Sequence, residues 1–307
     1  MLSLLPRATP GKIKGDWVTP SEAWWGLILA SPAVVLFFGL KIAPALFAAY
    51  FSLTDFPLLQ GPTYTGFDNY RRLFTDPIAL NSFRVTIVYT LGTVIPATIL
   101  SLAIAVMLDK KLQGMAFYRT VFYMPQVASW VAIGAVWLYL LNPAFGPVNW
   151  LLTQVGFPRQ DFLSSTTTAL PTLMGIGIWR QLGYSVVIFL AGLQGIPQHL
   201  KEAAMMDGAS AWRSFREVTL PILKPTTMFV VVTATIFNLQ IFDQVMVLTQ
   251  GGPARATHTT VVFIYEQAFQ SFRMGYASAA ALVLFVVVLG LSLTVLWTTG
   301  QLKARSD

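Results

Sequence analysis

The chain has 307 residues, 55% hydrophobic and only 11% charged, with a net charge of +7. Soluble domains carry about 25% charged residues, so a water-covered globule is excluded as the main architecture. There is no cysteine, which excludes disulfides and thiolate metal sites. The basic balance reads as a membrane-orientation signal better than as a footprint for nucleic acid or anionic lipid, and no nucleic-acid partner is expected.

A membrane span needs about 20 mostly apolar residues. Residues 1–23 hold Arg7, Lys12 and Lys14 without an apolar core, so they read as a cytoplasmic N-terminal segment and not as a cleavable signal. Residues 24–301 then contain six apolar stretches, predicting an all-α integral membrane protein with six transmembrane helices. The first runs from Trp24 to Ser52 and includes Lys41 and Pro44. Between it and the second, Phe67 to Phe83 has apolar residues at Leu73, Phe74, Ile78 and Leu80, which predicts a short helix on the outer surface. The second stretch, Val85 to Leu108, and the third, Thr120 to Leu141, are uncharged. The fourth, Leu170 to Gly195, carries Arg180. The loop 196–225 leads to the fifth, Thr226 to Thr249, which carries Asp243. The sixth runs from Ala277 to Gln301, and residues 302–307 form a tail. Trp24, Trp25, Trp130, Trp137 and Trp297 fall near proposed span ends, as aromatic belts do.

Orientation follows from Lys and Arg. With the N-terminus inside, the inner segments 1–23, 109–119, 196–225 and 302–307 hold twelve of them, against five in the outer segments 53–83, 142–169 and 250–276. The bias puts both termini in the cytoplasm. No phosphate-binding GxxxxGK[ST] sequence, HExxH, GxSxG or clustered carboxylate pair occurs, and His199 and His258 have no ligand-like neighbours in sequence. The chain does not read as an enzyme.

The loop 196–225 carries most of the signal. Gln198 to Met206 is long enough for about two helical turns, Gly208 fits a left-handed helix end, and Ser210 can cap a second helix from Ala211 to Glu217. Leu220-Pro221 is expected to stop it. This pattern resembles the EAA loop of binding-protein-dependent ABC transporter permeases: Glu-Ala-Ala, Gly after three further residues, and Ile-x-Leu-Pro after nine more. Glu202, Ala203, Ala204, Gly208, Leu220 and Pro221 match, while Val218 stands where Ile is usual. The resemblance covers nearly the whole chain and is strongest with the maltose-type sugar permeases. Gly66 to Phe74, Tyr118 to Pro125, Ala191 to Pro197, Phe242-Asp243 and Thr249 to Pro253 are similar to their segments in the same order.

The resemblance implies an ABC importer permease fold in a bacterial or archaeal cytoplasmic membrane. It implies a second homologous permease, two ATPase subunits and an extracytoplasmic sugar-binding protein as partners, with ATP bound by the ATPase subunits and no cofactor in this chain. Glu202 would contact the ATPase, Gly208 would permit the turn, Ala203 and Ala204 would allow close approach, and Asp207 joins them as a coupling residue. By spacing from Gly251-Gly252-Pro253, Phe237 and Asn238 fall at sugar-contact positions, although Ala234 and Ile241 stand where the family has further polar groups. Gln240 is expected on a different helix side from Asn238. Arg180, Gln181 and Tyr184 lie within about one turn and should face the interior, since Arg is costly in lipid. For Arg180 a structural pairing stays open beside substrate contact, and Asp243 is read as bracing the outer loop. The leading function is a sugar importer permease. A glycerol-phosphate or polyol importer and an ion-coupled carrier are the alternatives.

Overall fold

The computed structural model describes residues 20–57, 61–109 and 115–298. Most of the predicted N-terminal segment, residues 110–114, the end of the sixth stretch and the tail 302–307 lie outside the described residues, as do the side chains of Tyr118, Arg119 and Trp297. The chain divides into two compact units, Met1–Phe47 and Ala48–Asp307. The described part of the first is α1 (Pro20–Phe37), a π-helical turn (Phe38–Ile42) that contains Lys41, and the start of α2 (Ala43–Phe51).

The second unit is a helix bundle. It opens with a two-stranded antiparallel ribbon, β1 (Thr54–Asp55) against β2 (Thr63–Tyr64), with Thr54 opposite Tyr64. α3 (Asp68–Leu73) follows, and then α4 (Pro77–Leu108). The Asp76 side chain accepts a hydrogen bond from the Ile78 N–H at 2.8 Å and Pro77 opens the helix, a combination that starts helices efficiently. α4 therefore begins eight residues before the predicted second stretch. The single short helix expected over Phe67 to Phe83 is instead α3 plus the first two turns of α4.

α4 turns a stripe of small residues, among them Ser82, Thr86, Thr93, Ala97 and Ser101, toward its neighbours. Its most extensive partner is α8 (Ala169–Gln194). Small residues let backbones approach, which is how helices associate where water supplies no driving force. Gly177 on α8 shows the closeness: a β-carbon there would sit 2.4 Å from the Tyr89 hydroxyl. One apolar cluster (Ala105, Val186, Phe189, Leu193, Leu223, Val230) lies toward the end of α4 near Leu108, and another (Tyr89, Leu173, Ile176, Val245, Val262) toward its middle.

Two predicted stretches are not single helices. The third is α5 (Met115–Val127) and α6 (Trp130–Leu140), which meet at 104°. Pro125 lies inside α5, where it lacks a donor and crowds the preceding turn, and the extended Ser129 caps α6 by accepting from the Ala132 N–H at 3.3 Å. The fifth is α12 (Lys224–Leu239) followed, after a break at residues 240–242, by α13 (Asp243–Leu248). The Thr259 hydroxyl donates to the Ile241 carbonyl at 3.2 Å, satisfying one group the break frees.

After α7 (Pro147–Gln154) and α8 comes α9 (Gln198–Met206), then α10 (Ala211–Ser214). Leu220-Pro221 does not stop this helix. A π-helical turn (Phe215–Thr219) carries it into α11 (Leu220–Ile222), and the chain bends by 65° only before α12. Pro221 follows directly on the π-helical turn, whose wider closure from the Leu220 N–H to the Phe215 carbonyl places the helix irregularity where a proline would otherwise break it. α14 (Thr260–Tyr265) and α15 (Met274–Thr298) complete the unit. Among the described residues, four helices are long and apolar enough to cross a membrane: Trp24–Phe51, Pro77–Leu108, Ala169–Gln194 and Met274–Thr294. The number rises to six if each bent pair is one span.

Candidate functional site: a cavity between two broken helices

A cavity of about 330 Å³ lies where the two breaks converge on α8. The first break contributes Gln126 and Trp130. α8 contributes Arg180, Gln181 and Tyr184 from consecutive turns, and α12 contributes Ala234, Phe237 and Asn238. The second break contributes Gln240, Ile241 and Phe242, with Asp243 and Gln244 from the start of α13. All five residues singled out for the path, Arg180, Gln181, Tyr184, Phe237 and Asn238, line this one space.

Its polar side is an ordered network. Asn238, 8% exposed, donates through Nδ2 to Gln181 Oε1 at 2.8 Å and to the Ala234 carbonyl at 2.7 Å. Gln181 Nε2 is buried and has no hydrogen-bond partner among the described residues. Deeper in, the buried Tyr89 hydroxyl donates to Gln244 Oε1 at 2.8 Å, and Gln244 Nε2 donates to the Leu173 carbonyl at 2.6 Å. Arg180 donates through Nε to the Pro125 carbonyl (3.4 Å) and through Nη2 to those of Gln126 (3.4 Å) and Ala128 (3.1 Å). Its guanidinium lies 4.2 Å from the centre of the Trp130 ring.

Two expectations change here and a third is extended. Gln240 shares the cavity with Asn238, because α12 ends at Leu239 and the helical wheel no longer applies beyond it. Asp243, read as a loop brace, also stands on the cavity wall, a position that adds to that reading without contradicting it. Trp130 is a cavity residue under Arg180, and Trp137 packs edge-on to Trp179 at 5.6 Å; neither stands in a belt role alone. Tyr89, Gln126 and Gln244 carried no signal, since uncharged polar residues in apolar runs look alike until their helices are paired.

The second predicted group lies apart from the cavity. Glu202, Ala203, Asp207 and Gly208 are exposed, and Ala204 is half-buried. α9 ends as expected. Gly208 has φ +77°, its N–H bonds to the Met205 carbonyl at 3.1 Å, and the Ala209 N–H bonds to the Ala204 carbonyl at 3.0 Å. This paired closure is the Schellman arrangement that a left-handed glycine permits. Ser210 caps α10 by accepting from the Arg213 N–H at 3.3 Å. Gln198 Nε2 donates to Glu202 Oε1 at 2.8 Å, and Lys201 Nζ lies 3.2 Å from Asp109 Oδ2 just beyond the end of α4.

The model of the family described as "binding-protein-dependent transport system inner membrane component" matches residues 24–298. The chain belongs to that family. The permease is 33% identical over 269 residues to the sn-glycerol-3-phosphate transport system permease protein UgpA of Rhizobium meliloti (strain 1021), covering 86% of this chain and 91% of that protein. It is 31% identical to the multiple sugar-binding transport system permease protein MsmF of Streptococcus mutans serotype c, covering 86% and 90%. The fold matches a chain of a bacterial alginate ABC transporter, solved with an alginate pentasaccharide-bound periplasmic protein, at TM-score 0.81 and 22% identity, over 92% of this permease and 96% of that chain. The permease is thus a multi-pass inner-membrane component of an ABC transport system.

One buried group of the permease was invisible in sequence. His258 is 1% exposed, with Nε2 2.8 Å from Glu266 Oε2, and Arg255 Nη1 lies 3.9 Å from the same oxygen. It joins the 250–259 loop to the π-helical turn Glu266–Gln270.

Proposed function

We propose that this permease forms half of the translocation path of an ATP-driven importer for a neutral sugar. It would pair with a second homologous permease, two ATPase subunits that bind the ATP, and an extracytoplasmic sugar-binding protein. The observation that carries this reading is the amide pair Gln181–Asn238 set among the rings of Trp130, Tyr184 and Phe237. Amides both donate to and accept from hydroxyls, and ring faces pack on the apolar faces of a pyranose.

A phosphorylated polyol is the second reading, favoured by the likeness to UgpA. A phosphate calls for more than one cation. Arg180 is the one cationic residue on the described cavity wall, two of its nitrogens already serve carbonyls, and the Asp243 carboxylate shares that wall. The neutral ligand fits better.

In this reading the six spans are α1 with α2, α4, α5 with α6, α8, α12 and α15, with both termini in the cytoplasm. The Lys and Arg bias supports that orientation. α9 then faces the cytoplasm, where Glu202 and its neighbours dock into the ATPase. ATP binding must favour one state of the path over the other to drive transport. The test is uptake into proteoliposomes holding the complete transporter. Tritiated maltose, sucrose and glucose are compared with tritiated sn-glycerol 3-phosphate, each with its delivering binding protein and with ATP. Uptake of a sugar that needs ATP supports the reading; uptake of the phosphate ester alone replaces it with the second, and uptake without ATPase subunits replaces it with an ion-coupled carrier.

A further inference from the structure

We propose that Arg180 is a positioning residue that rivets the corner between α5 and α6, and does not bind the transported molecule. In a bilayer every backbone carbonyl must find a donor within the protein. A 104° turn after Val127 leaves the last carbonyls of α5 without the next helical turn to supply one. They also carry the partial negative charge of a helix C-terminus. Arg180 answers both needs from the neighbouring helix. One edge of its planar fork, Nε and Nη2, reaches the carbonyls of Pro125, Gln126 and Ala128. Its face covers Trp130, the first residue of α6. The ion therefore grips the chain before the corner and after it.

The fit depends on arginine and on close approach of α8. A guanidinium offers five donors in one plane and stacks on aromatic faces, which an ammonium does not. Gly183, three residues on, lets α8 press against α5: a β-carbon there would lie 2.0 Å from the Phe122 carbonyl oxygen. Trp130 and Gln126 reach the cavity from the two sides of the corner that Arg180 holds, so the rivet sets the shape of that wall. The wall's service in transport rests on the path proposed above, whereas the rivet stands on the corner geometry alone.

The chain has no native cysteine, so spin labels can be placed cleanly. Val127→Cys at the corner and Gln240→Cys at the opposite break give a distance across the cavity, read by pulsed electron paramagnetic resonance on the assembled transporter in nanodiscs. Arg180→Met is expected to broaden the distance distribution at least about twofold. Arg180→Lys, which keeps a cation with three donors but neither the planar fork nor the stacking face, is expected to give a distribution between those of the parent and Arg180→Met. A distribution as narrow in Arg180→Met as in the parent overturns the proposal. Should Arg180→Met fail to assemble, Trp130→Leu decides. It removes the ring and keeps the carbonyl bonds, so intermediate broadening supports the rivet and an unchanged distribution overturns it. Failure of the sugar path leaves a different signature: tritiated-sugar uptake unchanged by Asn238→Leu while the Arg180→Met distribution is broad.

Discussion

Gly183→Ala and Gly175→Ala place the same methyl on the same helix and should have opposite effects. Both glycines lie inside α8, where alanine is worth up to about 1 kcal/mol in helix propensity. At Gly175 a β-carbon meets nothing within 4 Å, so only that gain applies. At Gly183 it would lie 2.0 Å from the Phe122 carbonyl oxygen, 2.8 Å from the Phe122 carbonyl carbon and 3.0 Å from the Tyr123 Cα. All three obstacles are backbone, so no rotamer change relieves them. Restoring an ordinary contact of 3.4 Å requires α5 and α8 to part by the difference from 2.0 Å, about 1.4 Å locally. Overpacking of this kind costs about 1–3 kcal/mol, which exceeds the propensity gain. Thermal unfolding of the detergent-solubilised permease, followed by fluorescence, should show Gly183→Ala melting several degrees below Gly175→Ala. Equal melting temperatures would refute the packing of α5 on α8 and with it the setting of Arg180.

Other substitutions probe the remaining parts. Tyr89→Phe leaves Gln244 Oε1 without its buried donor and should destabilise by about 1–3 kcal/mol, read as a lower melting temperature. Gly208→Pro forces a negative φ where the chain has +77°, and Glu202→Lys reverses an exposed charge; each should abolish co-purification with the ATPase subunits while membrane insertion persists. Asn238→Leu removes the donor to Gln181 Oε1 and should raise the apparent KM for sugar uptake roughly tenfold, the scale of one lost hydrogen bond at about 1.4 kcal/mol, without blocking assembly; an unchanged KM would take Asn238 out of the path. Lys201→Asp and Asp109→Lys should each weaken uptake, and the exchanged pair should recover part of it. The coupling energy should stay below about 1 kcal/mol because both groups are partly solvated.

What could be read from the sequence was whatever is local. α9, the left-handed Gly208 and the Ser210 cap each depend on residues within one turn, and each took its predicted place. The apolar stretches were legible because lipid demands them whatever the helices do next. The breaks were not. Pro125 lies inside α5 and not at the corner, and nothing in the run Thr120 to Leu141 marks residue 128 as its turning point. Carbonyls have no sequence signature, so the role of Arg180 waited for the corner that frees them. The side of Gln240 is illegible for the same reason: a helical wheel extended through a break assigns a face that does not exist. Phe237, Asn238, Gln181 and Tyr184 converged as expected because they lie on unbroken parts of α12 and α8.

As the path of an ATP-driven transporter, the cavity beside Phe237 must open to each side of the membrane in turn. Phe237 is 69% exposed and lines that cavity, and the native chain holds no competing thiol. The deciding measurement is therefore the sidedness of labelling of Phe237→Cys by a membrane-impermeant thiol reagent in the assembled transporter. An alternating path predicts labelling from the cytoplasmic face without nucleotide and from the outer face when ADP is trapped with vanadate. Labelling whose side does not change with nucleotide would contradict it.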